Sequence, residues 1–144
     1  CLLFPLQAHL PAFRHARLSS QLFFQLESFS FMLISFASAY CWGYLWEDLG
    51  AAVKKQWLNK ARVYLLFGFV IFLTSQFIGS IWSLQGWGDY FVWGKMTFMG
   101  IVIWFYLMFV VHIRYLKKYG DKFMAISGSF LFCIIVLYRF IWQP

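Results

Sequence analysis

Val63-Tyr-Leu-Leu-Phe-Gly-Phe-Val-Ile-Phe-Leu-Thr-Ser-Gln-Phe-Ile-Gly-Ser-Ile-Trp82 runs without a single charged residue. A helix that crosses about 30 Å of hydrocarbon needs about 20 apolar residues, so this stretch predicts a membrane-spanning helix. Three further segments qualify: about 22–46, 98–115 and 123–142. The first is the least pure, with Gln25 and Glu27 near its start, and its Ser28, Ser35 and Ser38 fall close to one helical face, which suits helix–helix packing. The third carries His112 and the fourth Arg139. Strands are excluded, because the runs are long and lack period-2 alternation and open strands cannot satisfy their backbone in lipid. The expected fold is all-α, an integral membrane helical bundle with about four transmembrane helices in a single domain over 1–144.

Composition agrees. Of 144 residues, 62% are hydrophobic, 24% aromatic and only 12% charged. A soluble domain this small leaves too much surface exposed to hide that apolar content. The formal net charge of +7 could indicate a nucleic-acid partner, but its distribution indicates topology. Lys54, Lys55, Lys60 and Arg62 lie in 47–62, and Arg114, Lys117, Lys118 and Lys122 in 114–122. With four crossings both segments fall on one side, which the positive-inside rule makes cytoplasmic. The N-terminal stretch, the segment 83–95 and the C-terminal end then lie outside, and no nucleic acid is required.

Cys1, Cys41 and Cys133 show no metal-type spacing; the latter two lie in apolar runs and read as small hydrophobes. The first residue is Cys rather than Met, which suggests a fragment or processed piece, and Pro5, His9 and Pro11 interrupt any signal-peptide core. No Ser/His/Asp set, carboxylate pair or phosphate loop is present, so any enzymatic role rests on presenting a cofactor.

The stretch 79–93, Gly-Ser-Ile-Trp-Ser-Leu-Gln-Gly-Trp-Gly-Asp-Tyr-Phe-Val-Trp, concentrates Trp82, Trp87, Tyr90 and Trp93 among Gly79, Gly86 and Gly88, with Gly94 following. An interfacial aromatic belt accounts for such residues at helix ends. Their density in one glycine-rich outer loop, 83–95, also suits a platform for a planar apolar ligand.

Trp87-Gly88-x-Tyr90-x-x-Trp93, preceded by Gly79-x-x-Trp82, resembles the tryptophan-rich WWD loop of CcsA-type cytochrome c biogenesis proteins, which are similar to CcmC and CcmF. Trp104 and Val111-His112-Ile113-Arg114 resemble the family's next helix, and Pro5-Leu6-Gln7-Ala8 followed by His15 resembles its Leu-Gln-Ser motif and histidine. The resemblance covers almost the whole chain as the C-terminal part of a longer member. It implies transported b-type haem, presented outside on Trp82, Trp87, Gly88, Tyr90 and Trp93 and joined to apocytochrome c. His15 would be an outer iron ligand and His112 the membrane histidine that helps haem pass. A CcsB-type membrane partner is implied, and the chain would be at most part of a haem lyase complex, in a bacterial inner or thylakoid-type membrane. The family continues Trp-Asp-Pro-Lys-Glu-Thr-Trp where this chain reads Trp93-Gly94-Lys95-Met96-Thr97-Phe98, and its second outer histidine is expected beyond Pro144. Arg14, Arg17, Lys95 and Arg139 are the outer cations that could meet haem propionates; snorkelling to the interface is the alternative for Arg139. The rival readings are a non-catalytic structural membrane subunit and, last, a small transporter half.

Overall fold

A computed structural model of the chain describes residues 18–46, 48, 50–113 and 120–142, with the side chains of 95, 96, 139, 141 and 142 left aside. Four helices follow in order: α1 (Leu18–Trp46), α2 (Ala51–Trp87), α3 (Lys95–His112) and α4 (Gly120–Trp142). Among the described residues there is no strand. Three helices are long and apolar enough to cross a membrane, and α3 is a shorter apolar helix over 97–112. The chain is an integral membrane helical bundle.

The helices overrun the apolar segments. The largest extension is in α2, whose 37 residues span about 55 Å at 1.5 Å per residue, well beyond the hydrocarbon thickness. Its first three turns, residues 51–62, were expected as connection because they carry four cations. They are also rich in Ala, Lys, Leu, Gln and Arg, strong helix formers, and hold no Pro or Gly. Hydropathy marks where lipid ends, whereas backbone propensity marks where a helix ends. At the other end α2 continues through Trp87 and stops at Gly88, whose φ of 78° lies in the left-handed region, a conformation glycine adopts without Cβ strain. The expected outer loop of 83–95 therefore reduces to 88–94.

The chain runs up and down. Phe23 and Phe24 near the start of α1 lie against Trp82 near the end of α2. At the opposite end Arg62 of α2 pairs with Asp121 of α4. α1 is the central element, packed most extensively on α2 and next on α4, while α3 makes fewer contacts, with α2 and α4. The core holds Phe31, Ile34, Leu65, Phe72, Leu107 and Leu131. Phe67, Phe77, Phe105, Phe130 and Phe140 are turned outward, the arrangement of a bundle solvated by lipid.

Several polar contacts between helices use backbone carbonyls. Ser30 Oγ donates to Gly68 O at 2.8 Å, Ser38 Oγ to Ser129 O at 3.0 Å, and Tyr106 Oη to Ser127 O at 2.8 Å. Such hydrogen bonds and the small residues beside them substitute for a hydrophobic driving force between helices in lipid. Of the three serines expected at a packing face, Ser38 fills that role. Ser35 donates instead to Phe31 O within its own helix, and Ser28 is exposed. Glu27 is fully buried and its Oε1 accepts from Tyr138 Oη at 2.9 Å, so it is a packed polar residue rather than a surface one.

Candidate functional site

The aromatic end is built on a glycine. At Gly79 a Cβ would meet the Phe23 ring at 2.8 Å, so only the bare backbone lets that ring lie across α2. Phe23 then stacks on Trp82 with centroids 5.8 Å apart and planes at 28°, and Phe24 meets Trp82 edge-on at 5.6 Å. The flat object held by Gly79-x-x-Trp82 is thus first a ring of the chain itself. Trp87 adds an edge-to-face contact to Trp82 at 5.3 Å. Trp82 is only 9% exposed and forms the base of the site, while Trp87 is half-buried above it.

Beyond Gly88 the chain turns outward. Gly88 N–H donates to Leu84 O at 2.9 Å, closing the helix. Asp89 Oδ1 accepts weakly from the Phe91 N–H at 3.4 Å, and Thr97 Oγ1 donates to Val92 O at 2.7 Å, tying the loop to the first turn of α3. Between these fastenings Tyr90, Phe91, Val92 and Trp93 are all exposed, Trp93 by 80%. Gly86 has no atom within 4 Å of a virtual Cβ, and Gly94 has one only at 3.9 Å. No chain contact demands glycine at these two positions, and both leave open space beside the rings.

Of the two expected histidines only His112 lies among the described residues. His112 sits in the last turn of α3, exposed, about 25 Å along the helix from Lys95. Its Nδ1 lies 2.8 Å from Met108 O. A carbonyl only accepts, so Nδ1 carries the proton and, in the neutral ring, the lone pair is on Nε2. That is the state in which an imidazole ligates a metal. His15, His9, Arg14 and Arg17 lie outside the described residues, as do Arg114, Lys117 and Lys118 and the side chains of Lys95 and Arg139. Among the described residues no group of three His, Cys, Asp or Glu converges as a metal site. Cys41 is buried and Cys133 exposed, both as free thiols.

Sequence reasoning missed Phe23 and Phe24, which complete the aromatic base from α1. Phe23, Glu27 and Phe31, spaced four apart and all buried in α1, are the periodic signal that could have pointed to Phe23; Phe24 lies off that series.

Comparison with known proteins accords with the motifs. The chain is 27% identical over 83 residues to the cytochrome c biogenesis protein CcsA of Cyanophora paradoxa, covering 58% of this chain and 26% of that protein. It is 32% identical over 65 residues to CcsA of Heterosigma akashiwo, covering 44% and 20%, and 24% identical over 66 residues to CcsA of Cyanidium caldarium, covering 46% and 22%. The chain resembles the CcsA-type family. The matched stretch spans about a quarter or less of these relatives' length. No family model matches, and no solved structure matches significantly.

Proposed function

We propose that this CcsA-like chain handles haem at the outer membrane face for covalent attachment to apocytochrome c, the haem being b-type cargo. The observation that carries the reading is the exposed loop 88–94, anchored at both ends and set on a rigid aromatic base. A porphyrin is flat, largely apolar and wide, and offset stacking against indole and phenol rings is favourable by about 0.5–1.5 kcal/mol per ring beyond the area buried. Trp93 and Tyr90 offer exposed faces, Trp87 an intermediate one, and Trp82 the support beneath. The names of the relatives point the same way.

In this reading His15 supplies an outer ligand to the iron and His112 assists haem from the opposite, cytoplasmic side. The roughly 25 Å between His112 and the loop end of α3 sets His112 apart from the loop, as a separate station in this reading. The basic ends of α2 and α4 lie inside by the positive-inside rule. A CcsB-type membrane subunit and apocytochrome c are the proposed partners, and the chain acts as part of a lyase complex rather than alone.

The test is the visible spectrum of the purified protein. A Soret band is expected, with one strong axial ligand from the chain. Added imidazole should shift it to a low-spin, bis-nitrogen form, and His15→Gly should weaken haem retention with partial rescue by imidazole. Absence of haem from protein produced with ample haem supply would overturn the reading in favour of a structural membrane subunit.

A further inference from the structure

A groove of about 630 Å³ runs along the outside of the bundle between α1 and α2, away from the aromatic loop. Its two walls are regular. On α2, Lys60, Tyr64, Phe67 and Ile71 follow one another at helical spacing; on antiparallel α1, Tyr40, Leu33 and Phe29 run alongside. From Lys60 to Ile71 is about 16 Å of helix, close to the depth of one leaflet, half of about 30 Å. The polar and apolar groups are segregated along that length. Gln56, Asn59 and Lys60 line one end, and Leu33, Phe29, Phe67 and Ile71 line the other. Tyr40 and Tyr64 stack at 5.7 Å and 9° at the boundary.

The polar end is cationic. Lys60 is exposed, and its Nζ lies over the Tyr40 ring, 5.9 Å from its centroid, which keeps the ammonium at the mouth of the groove. Gln56 and Asn59 add amide donors within one turn, and among the described residues no acidic one lines the groove. Asp121, on α4, is paired with Arg62. Positive charge and amide donors at headgroup depth, with an apolar channel one leaflet long below them, are complementary to one kind of molecule.

We propose that this groove binds one anionic phospholipid of the surrounding bilayer, its phosphate at Lys60 and an acyl chain along Leu33, Phe29, Phe67 and Ile71. The site is separate from the haem-facing loop and does not depend on that reading. Its place on the α1–α2 seam, the most extensive helix pair in the bundle, means that an occupant would bridge the two helices.

Native mass spectrometry of the purified protein tests the proposal, with equimolar phosphatidylglycerol and phosphatidylcholine of identical acyl chains as probes. Phosphatidylglycerol should be retained about fivefold more, saturating at one molecule, in keeping with one cation near an anionic headgroup. Lys60→Gln should bring the two lipids to parity. Lys55→Gln, at the same end but outside the groove, should leave the preference intact. Val63→Trp, which grows an exposed lining residue into the channel, should reduce both lipids. Lys60 is exposed on the surface, so its substitution does not threaten the fold and decides the matter alone if Val63→Trp is unstable. Equal losses in the two lysine variants would reduce the effect to general attraction by the basic end and overturn the site. So would a protein-sized adduct that Val63→Trp abolishes while lipid retention is unchanged, since the occupant would then be a partner helix.

Discussion

Both ends of the bundle are rich in tryptophan, and they use it differently. At the basic end Trp42 and Trp46 are neighbours one turn apart on α1, with centroids 5.7 Å apart, and Trp57 packs edge-on against Tyr40. Trp46 is 79% exposed on the flank of a helix, the placement of an interfacial anchor. At the other end Trp82 is enclosed by rings from α1, Trp87 leans on it, and six residues later Trp93 stands clear of the bundle on a glycine-hinged loop. At the basic end the exposed tryptophan stays on a helix, whereas at the other end Trp93 is carried outward where the backbone leaves α2. Tryptophan content alone does not distinguish the two; the break at Gly88 does.

The sharpest way to break this comparison is to place both ends on one side of the membrane. In a background with Cys1, Cys41 and Cys133 replaced by Ala, Asp89→Cys should react with an impermeant maleimide in intact cells and Lys55→Cys should not. Both positions are exposed, so burial does not mask the result. Strong labelling of Lys55→Cys would reverse the sidedness drawn from the basic residues.

The next effect in size concerns haem. Replacing Trp87 and Trp93 together by Ala removes two ring faces, about 1–3 kcal/mol at 0.5–1.5 each, so haem retention should fall roughly tenfold. Trp46→Ala is the matched control, because Trp46 is as exposed as Trp93. Trp42 is a poorer one, since its Nε1 donates to Ser129 O at 3.1 Å and holds α1 to α4. Equal losses at Trp46 and at the loop pair would make all these residues anchors and dissolve the distinction between the ends.

Which parts of this were legible in the sequence follows from what each signal measures. Apolar run length reports desolvation, and it located all four helices because lipid admits no other backbone arrangement for such runs. It misjudged the extent of α2 because residues 51–62 are helical by propensity while too charged for hydrocarbon. Local motifs drew attention to Trp87 and Gly88, which lie at the end of α2 and its left-handed cap, and to Trp82, whose surroundings come partly from α1. Phe23 and Tyr138 were not assigned to the site or to Glu27, because their partners lie on other helices, 111 residues away in the case of Glu27 and Tyr138. Glycine density overstated the platform: Gly79 and Gly88 are required by Phe23 and by a left-handed φ, whereas Gly86 and Gly94 meet no such demand.

That long-range pair gives the third test. Tyr138→Phe leaves buried Glu27 without the phenol donor near the aromatic end, and an unmade hydrogen bond to a buried polar group costs about 1–3 kcal/mol. Thermal unfolding in detergent should shift down accordingly. Glu27→Gln, which keeps an acceptor for Tyr138, should shift it less. If Tyr138→Phe is neutral, other contacts of Glu27 carry its stabilisation and the phenol is incidental.

The smallest effect is expected at the basic end, at Arg62. Its Nη2 pairs with Asp121, its Nη1 donates to Asn59 Oδ1 at 3.3 Å, and its Nε lies 3.2 Å from Met124 Sδ. Three partners suggest an important residue, but solvent exposure argues the other way. The Asp121 side chain is 61% exposed and that of Arg62 16%, so water and salt screen the pair, and exposed ion pairs contribute about 0–1 kcal/mol. The thioether is a weak acceptor, and the Asn59 contact is a local one on the same helix, three residues away. Arg62→Met keeps the aliphatic packing of the stem and removes the charge together with the three guanidinium contacts. It should lower stability by about 1 kcal/mol or less, with the difference shrinking at high salt, and leave haem retention at the far end unchanged. A larger, salt-insensitive loss would mean that the α2–α4 junction is dry and that Arg62 is a structural pin of the bundle. A simultaneous loss of haem would couple the two ends through α2, whose unbroken helix joins them, and they could then no longer be treated as independent.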